Sequence, residues 1–144
     1  MKHRHFILYK PDGYLSQFVN NQTKRKNKRL LGDLHDFPEG TMAIGRLDEP
    51  SEGLLLLTTD GKVSEYIRSE KVEKEYYAQV DGLIDEESII KLKSGIEINS
   101  EDGLYLTKPC EVCMLKEQPN LPPRNKAIRD ERHGPTSWIS LTLT

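Results

Sequence analysis

Met42-Ala43-Ile44-Gly45-Arg46-Leu47-Asp48-Glu49-Pro50-Ser51-Glu52-Gly53-Leu54-Leu55-Leu56-Leu57-Thr58-Thr59-Asp60-Gly61 is the stretch on which the reading of this chain turns. An apolar approach runs into a polar knot and returns as a run of leucines, which is the pattern of strand, loop and buried strand. Asp48 sits at the tip of the loop. A carboxylate between two core strands is positioned by a rigid scaffold and still reaches a ligand. A lone Asp in a loop is first of all a turn residue, so the position needs further support. Arg46 lies two residues before it, on the same side of an extended segment. A plain Asp–Arg surface pair and a ligand-facing pair both fit that spacing.

Outward from this centre, His5 to Tyr9 reads as a strand ended by the turn Lys10-Pro11-Asp12-Gly13, in which Pro presets φ and Gly permits positive φ. Tyr14 to Val19 leads into an exposed basic loop. Leu30 to Phe37 is expected as a short helix, broken by Pro38-Glu39-Gly40. Past the leucines, Asp60 caps a helix whose buried face is expected at Val63, Tyr66 and Ile67. Lys74 to Val80 is a strand. Asp85 to Lys93 is a helix, with an Asp cap and acids at its positive end, and lysines at the other end before Gly95. Ile96 and Ile98, Leu104 to Leu106, and Cys110 to Leu115 supply further strands. Trp138 to Leu143 is the last, expected to need a partner at a sheet edge. Strands and a few helices without a βαβ rhythm indicate the α+β class, with a mixed, largely antiparallel sheet flanked by a few helices. A chain of 144 residues suits a single domain, 1–144.

Hydrophobic residues make up 35% and charged residues 31% of the chain, and no apolar run approaches a bilayer span. The N-terminus lacks a signal-peptide core, so a cytoplasmic location is the expectation. The formal net charge of −2 hides local basic runs. One is Lys24-Arg25-Lys26-Asn27-Lys28-Arg29, and the second contains Arg124, Lys126 and Arg129. Such runs contact phosphates or simply form solvated loops. Cys110 and Cys113 form a C-x-x-C without a second pair or a paired-histidine spacing, so the expectation is two reduced core-type cysteines and no metal. In a strand these two positions face opposite sides.

The segment Gly45 to Gly61 resembles the signature of the pseudouridine synthases, in which G-R-L-D precedes a variable pair, a small residue and G-L-L-L-L-T-x-D-G. The resemblance also covers the Lys10-Pro11-Asp12-Gly13 turn and Lys74-Glu75-Tyr76, which is similar to the family's K-x-Y strand. The basic pattern of Arg124 to Arg129 and the run Pro135 to Leu143 look like the RsuA-type branch. Ser51-Glu52-Gly53 agrees with the E-type large-subunit (23S) rRNA enzymes, which lack an N-terminal S4 RNA-binding domain.

This resemblance implies an isomerase that converts a specific uridine of ribosomal RNA to pseudouridine, without a cofactor and as a monomer at full length. It implies Asp48 as the catalytic carboxylate, Arg46 at the RNA side of the site and Tyr76 stacked on the target uracil. The basic runs (Lys24, Arg25, Lys26, Lys28 and Arg29; Arg124, Lys126 and Arg129) would hold the RNA. The family continues past the strand matching Trp138 to Leu143 into a motif of the form E-G-x-x-R-Q-V-R-R-M, which supplies a cation beside the Asp. That motif is not in this sequence, so the catalytic domain is expected to be incomplete at its C-terminus. A non-catalytic RNA-binding module is the competing expectation.

The chemistry suits one carboxylate. The glycosidic C–N bond breaks, the base turns, and a C–C bond forms. Positive charge develops at the sugar, where an ionised carboxylate stabilises it or bonds to it.

Overall fold

Leu55, Leu57 and Thr58 of the strand Gly53–Thr58 are sealed from solvent, and this strand organises the first half of the molecule. In the computed structural model, which describes residues 2–19, 28–124 and 134–144, the chain falls into two compact units, residues 1–72 and 73–144. The first contains β1 (His5–Lys10), β2 (Tyr14–Leu15), β3 (Arg29–Leu30), β4 (Met42–Ala43), β5 (Gly53–Thr58) and helix α1 (Gly61–Arg68). Its three-stranded sheet has the order β1-β5-β4 and is antiparallel throughout. The register sets Phe6 opposite Leu57 and Leu8 opposite Leu55, so one face carries the core. Leu31, Leu55 and Leu57 form its centre, with Phe6, Leu8, Phe18, Leu34, Phe37 and Ala43 packed around them. The opposite face carries Ile7 and Leu54, both exposed.

The helix expected over Leu30 to Phe37 does not form. Leu30 pairs with Leu15 in the short parallel β2–β3 ladder, and only a single 3-10 turn, Leu31–Asp33, follows. The Asp33 carboxylate accepts from the Leu30 N–H at 2.9 Å, closing that turn on itself. Phe37 is then drawn edge-on to Phe6 and Phe18, with centroids 5.3 and 5.6 Å away. Tertiary packing of that ring outweighs the weak helical propensity of a segment that contains Gly32.

Helix α1 starts as expected: the Asp60 carboxylate accepts from the Lys62 N–H at 2.9 Å. Its face is rotated from the expected one. Ser64 is buried, Val63 and Ile67 are half-buried and Tyr66 is exposed, so the inward stripe runs through Val63, Ser64 and Ile67 and leaves Tyr66 at its edge.

The second unit contains β6 (Lys74–Asp81), α2 (Glu86–Ser94), β7 (Glu97–Ser100), β8 (Gly103–Leu106), β9 (Glu111–Met114) and β10 (Thr136–Leu143). Its three-stranded sheet has the order β6-β10-β9, and β7–β8 is a separate antiparallel hairpin. The last strand is therefore no sheet edge. β10 is central, paired along its length with β6 and also with β9, which corrects the expectation of an unpartnered strand. Ile139, Val112 and Ile89 are the buried centre, and Ala78, Val80, Ile84, Leu92, Cys110 and Leu141 pack on them.

Asp85 caps α2 by accepting from the Ser88 N–H at 2.8 Å, and that bond holds its carboxyl below the ordinary value. The Cys110 thiol points to the Leu92 carbonyl at 3.8 Å, whereas Cys113 is exposed on the rung of Ser140. No helix among the described residues is long and apolar enough to cross a membrane.

Candidate active site

The β4–β5 connection holds Arg46 and Asp48, and it is fastened on both sides of the Asp. Gly45 and Gly53 frame it with φ of 75° and 132°, values that side-chain-bearing residues rarely adopt. The Ile44 N–H donates to the Leu56 carbonyl at 2.8 Å, carrying the ladder one step past β4. Before Asp48, the buried Ser16 hydroxyl accepts from the Leu47 N–H and donates to the Leu47 carbonyl, each at 3.0 Å. After it, the Glu49 carbonyl accepts from the Gly13 N–H at 2.9 Å and from the Lys10 ammonium at 3.1 Å. The Ser51 N–H closes a turn on the Asp48 carbonyl at 2.9 Å.

The backbone is thus held while the side chains of Arg46 and Asp48 are exposed. Among the described residues the two form no ion pair, so the plain surface pair that their spacing allowed is not made. The loop presents a carboxylate and a guanidinium to solvent from a fixed main chain, which is what recognition or catalysis on an external ligand requires.

Three contributors to this arrangement carried little signal in sequence. Lys10 read only as a turn residue, yet its side chain is completely buried and its ammonium donates to the Pro11 and Glu49 carbonyls. A buried ammonium is costly unless hydrogen-bonded, and here its partners include the loop itself. Ser16 is one serine among many, and only its position 31 residues from Leu47 in the chain reveals it. Glu49 ion-pairs with Lys28, whose ammonium meets both carboxylate oxygens, Oε1 at 2.8 Å.

Lys10→Met keeps the length of the stem and removes the donor. The Glu49 carbonyl retains the Gly13 N–H, and the Pro11 carbonyl loses the ammonium donor. Stability is expected to drop by about 1–3 kcal/mol, read from the urea midpoint at unchanged slope.

The basic runs are only partly in view. Lys24, Arg25, Lys26, Lys126 and Arg129 lie outside the described residues. Arg29 is exposed and lays its guanidinium over the Tyr14 ring, 5.1 Å from the centroid. Arg124 is half-buried. In the second unit, Tyr76 sits opposite Leu141 on the sheet face that carries the core, and the residue is 43% exposed. Tyr77 faces the other side, opposite Ser140.

Comparison with known proteins decides the lineage. Residues 4–144 match the family model described as RNA pseudouridylate synthase. The chain belongs to that family. A ribosomal large subunit pseudouridine synthase E from Xanthomonas axonopodis pv. citri is 37% identical over 140 residues, 96% of this chain and 70% of the relative. The enzyme of the same name from Vibrio parahaemolyticus is 33% identical over 146 residues, 99% of this chain and 57% of the relative. A crystal structure of a pseudouridylate synthase superposes with a TM-score of 0.67 at 22% identity, covering 99% of this chain and 51% of the other, which shows the shared fold.

The fastened loop holds the exposed Asp48 carboxylate where an external ligand can meet it.

Proposed function

We propose that the protein isomerises a uridine of large-subunit (23S) ribosomal RNA to pseudouridine, with Asp48 as the catalytic carboxylate. The observation that carries this reading is the loop geometry: hydrogen bonds fix Leu47 and Glu49 on either side of Asp48, while the carboxylate between them is exposed. The printed names of the Xanthomonas and Vibrio relatives support the choice of ribosomal RNA of the large subunit.

In the reaction, the bond between the sugar C1′ and N1 of uracil breaks. The base rotates, C1′ joins C5, the C5 proton leaves, and N1 gains a proton. Atoms and electrons balance without an oxidant or a hydrolytic water. Asp48 stabilises the positive charge that develops at C1′. Arg46, exposed on the same loop, contacts the RNA. A uridine within an RNA stack must be turned out to be reached, and Tyr76 supplies the face on which the uracil stacks. Arg29 and Arg124 contact phosphates.

The test is incubation of the protein with large- and small-subunit rRNA, scored by carbodiimide-stop primer extension. A new stop confined to the large-subunit RNA is expected. No stop in either RNA, with binding retained, returns the protein to the RNA-binding-module reading. For Tyr76, replacement by Phe keeps the stacking face and is expected to keep activity. Replacement by Ala removes roughly 1–3 kcal/mol of stacking, read as a loss of about tenfold or more in kcat/KM. Equal behaviour of the two variants would count against a stacking role.

A further inference from the structure

We infer that Lys28, although it lies in a basic run, is a positioning residue for Asp48 that acts through the Glu49 carboxylate and does not contact RNA phosphate. The inference rests on the proposed catalytic role of Asp48.

The Lys28 ammonium is engaged by both oxygens of Glu49, with side-chain exposures of 21% and 32%. Glu49 is the residue next to Asp48, and its carbonyl is already held by Gly13 and Lys10. Glu49 is therefore clamped twice, through its main chain by the Lys10–Gly13 turn and through its side chain by Lys28, the residue before β3. The Ser51 N–H holds the Asp48 carbonyl, so the peptide that joins Asp48 to Glu49 is tied on its Asp48 side, and the Glu49 carbonyl and carboxylate tie it on the other. Holding Glu49 therefore holds the main chain that carries the Asp48 side chain.

Drawing Lys28 off to a phosphate would leave a partly buried carboxylate beside Asp48 and next to an incoming anion. Both effects are unfavourable. Arg29, one residue further on, has no such obligation among the described residues. The residue is exposed, and its guanidinium lies over the Tyr14 ring with Nη2 beside Gly13, with no carboxylate paired to it among the described residues. The strand start at Lys28-Arg29 thus divides its labour, with one cation directed to the catalytic loop and the next directed outward.

The experiment uses the full chain and large-subunit rRNA, with Lys28→Met, Lys28→Arg, Glu49→Gln, the double variant Lys28→Met/Glu49→Gln and the charge swap Lys28→Glu/Glu49→Lys. Misplacing a reacting group by ~1 Å can cost up to about 10²-fold, so Lys28→Met and Glu49→Gln should each lower kcat by about tenfold or more. The double variant should fall no further than either single one. Lys28→Arg and the charge swap should recover most of the rate. KM and the salt dependence of RNA affinity should stay as in the parent.

A raised KM and a salt slope reduced by about one for Lys28→Met, not mirrored by Glu49→Gln, would overturn the inference and make Lys28 a phosphate contact. An unchanged kcat in both single variants would overturn it as well. Asp48→Asn is measured alongside. If it abolishes turnover while Lys28→Met leaves kcat intact, only the role of Lys28 fails. If it retains turnover, the role of Asp48 fails and takes this inference with it.

Discussion

Asp48→Asn is expected to lower the rate of pseudouridine formation by about 10³-fold or more, equivalent to ~4 kcal/mol of transition-state stabilisation, and to leave RNA affinity within a few-fold of the parent. The substitution keeps size and shape and removes the charge. An amide neither balances positive charge at C1′ nor forms a stable bond to the sugar, so the step that breaks the glycosidic bond loses its principal support. The loop should not move. Its fastenings are to the Leu47 and Glu49 backbone and to the Asp48 carbonyl, none of which uses the Asp48 side chain. Affinity should persist because RNA binding is dominated by phosphate contacts. Single-turnover assays read the first quantity and filter binding the second. Turnover within tenfold of the parent would remove Asp48 from the chemistry. A matching collapse of binding and rate would mean that Asp48 holds the RNA.

The parts of this structure that rest on short-range chemistry were legible in the sequence. The Asp60 and Asp85 caps, the leucine strand, the alternation of Ile139 and Leu141, and the exposed tip at Asp48 each follow from residues within a turn or a strand of one another. What escaped depends on partners far apart in the chain. Phe37 prefers Phe6 and Phe18 to a helix, a choice visible only once the sheet exists. β10 reads as an edge strand until β9 arrives on its second side. Ser16 and Lys10 are unremarkable in a polar turn region, and both acquire their meaning from the loop more than thirty residues on. Within the candidate site, motif residues such as Arg46 and Asp48 were visible because their spacing is local. The residues that hold them were not.

Leu57→Ala is expected to cost about 2–5 kcal/mol of stability, towards the upper end of that range. Leu57 is 1% exposed and belongs to the buried centre with Leu31 and Leu55. It lies on the middle strand, opposite Phe6 on one side and Ala43 on the other, so backbone ladders on both edges resist the collapse that would fill the cavity. Leu54→Ala provides the contrast. Leu54 is 65% exposed on the other face of the same strand, opposite Tyr9, and its truncation should cost well under ~1 kcal/mol. The pair tests register as well as burial, since a slip of one residue would exchange the faces of the whole leucine run and reverse the order of the two effects. Against a typical total of about 5–15 kcal/mol, the Leu57 variant stands close to unfolding. Because β5 is one of the two strands from which the Asp48 loop is hung, its activity should fall at temperatures where the Leu54 variant still works. Urea denaturation of both variants, with rate measured across the same temperatures, checks the link between the packed face and the loop it supports.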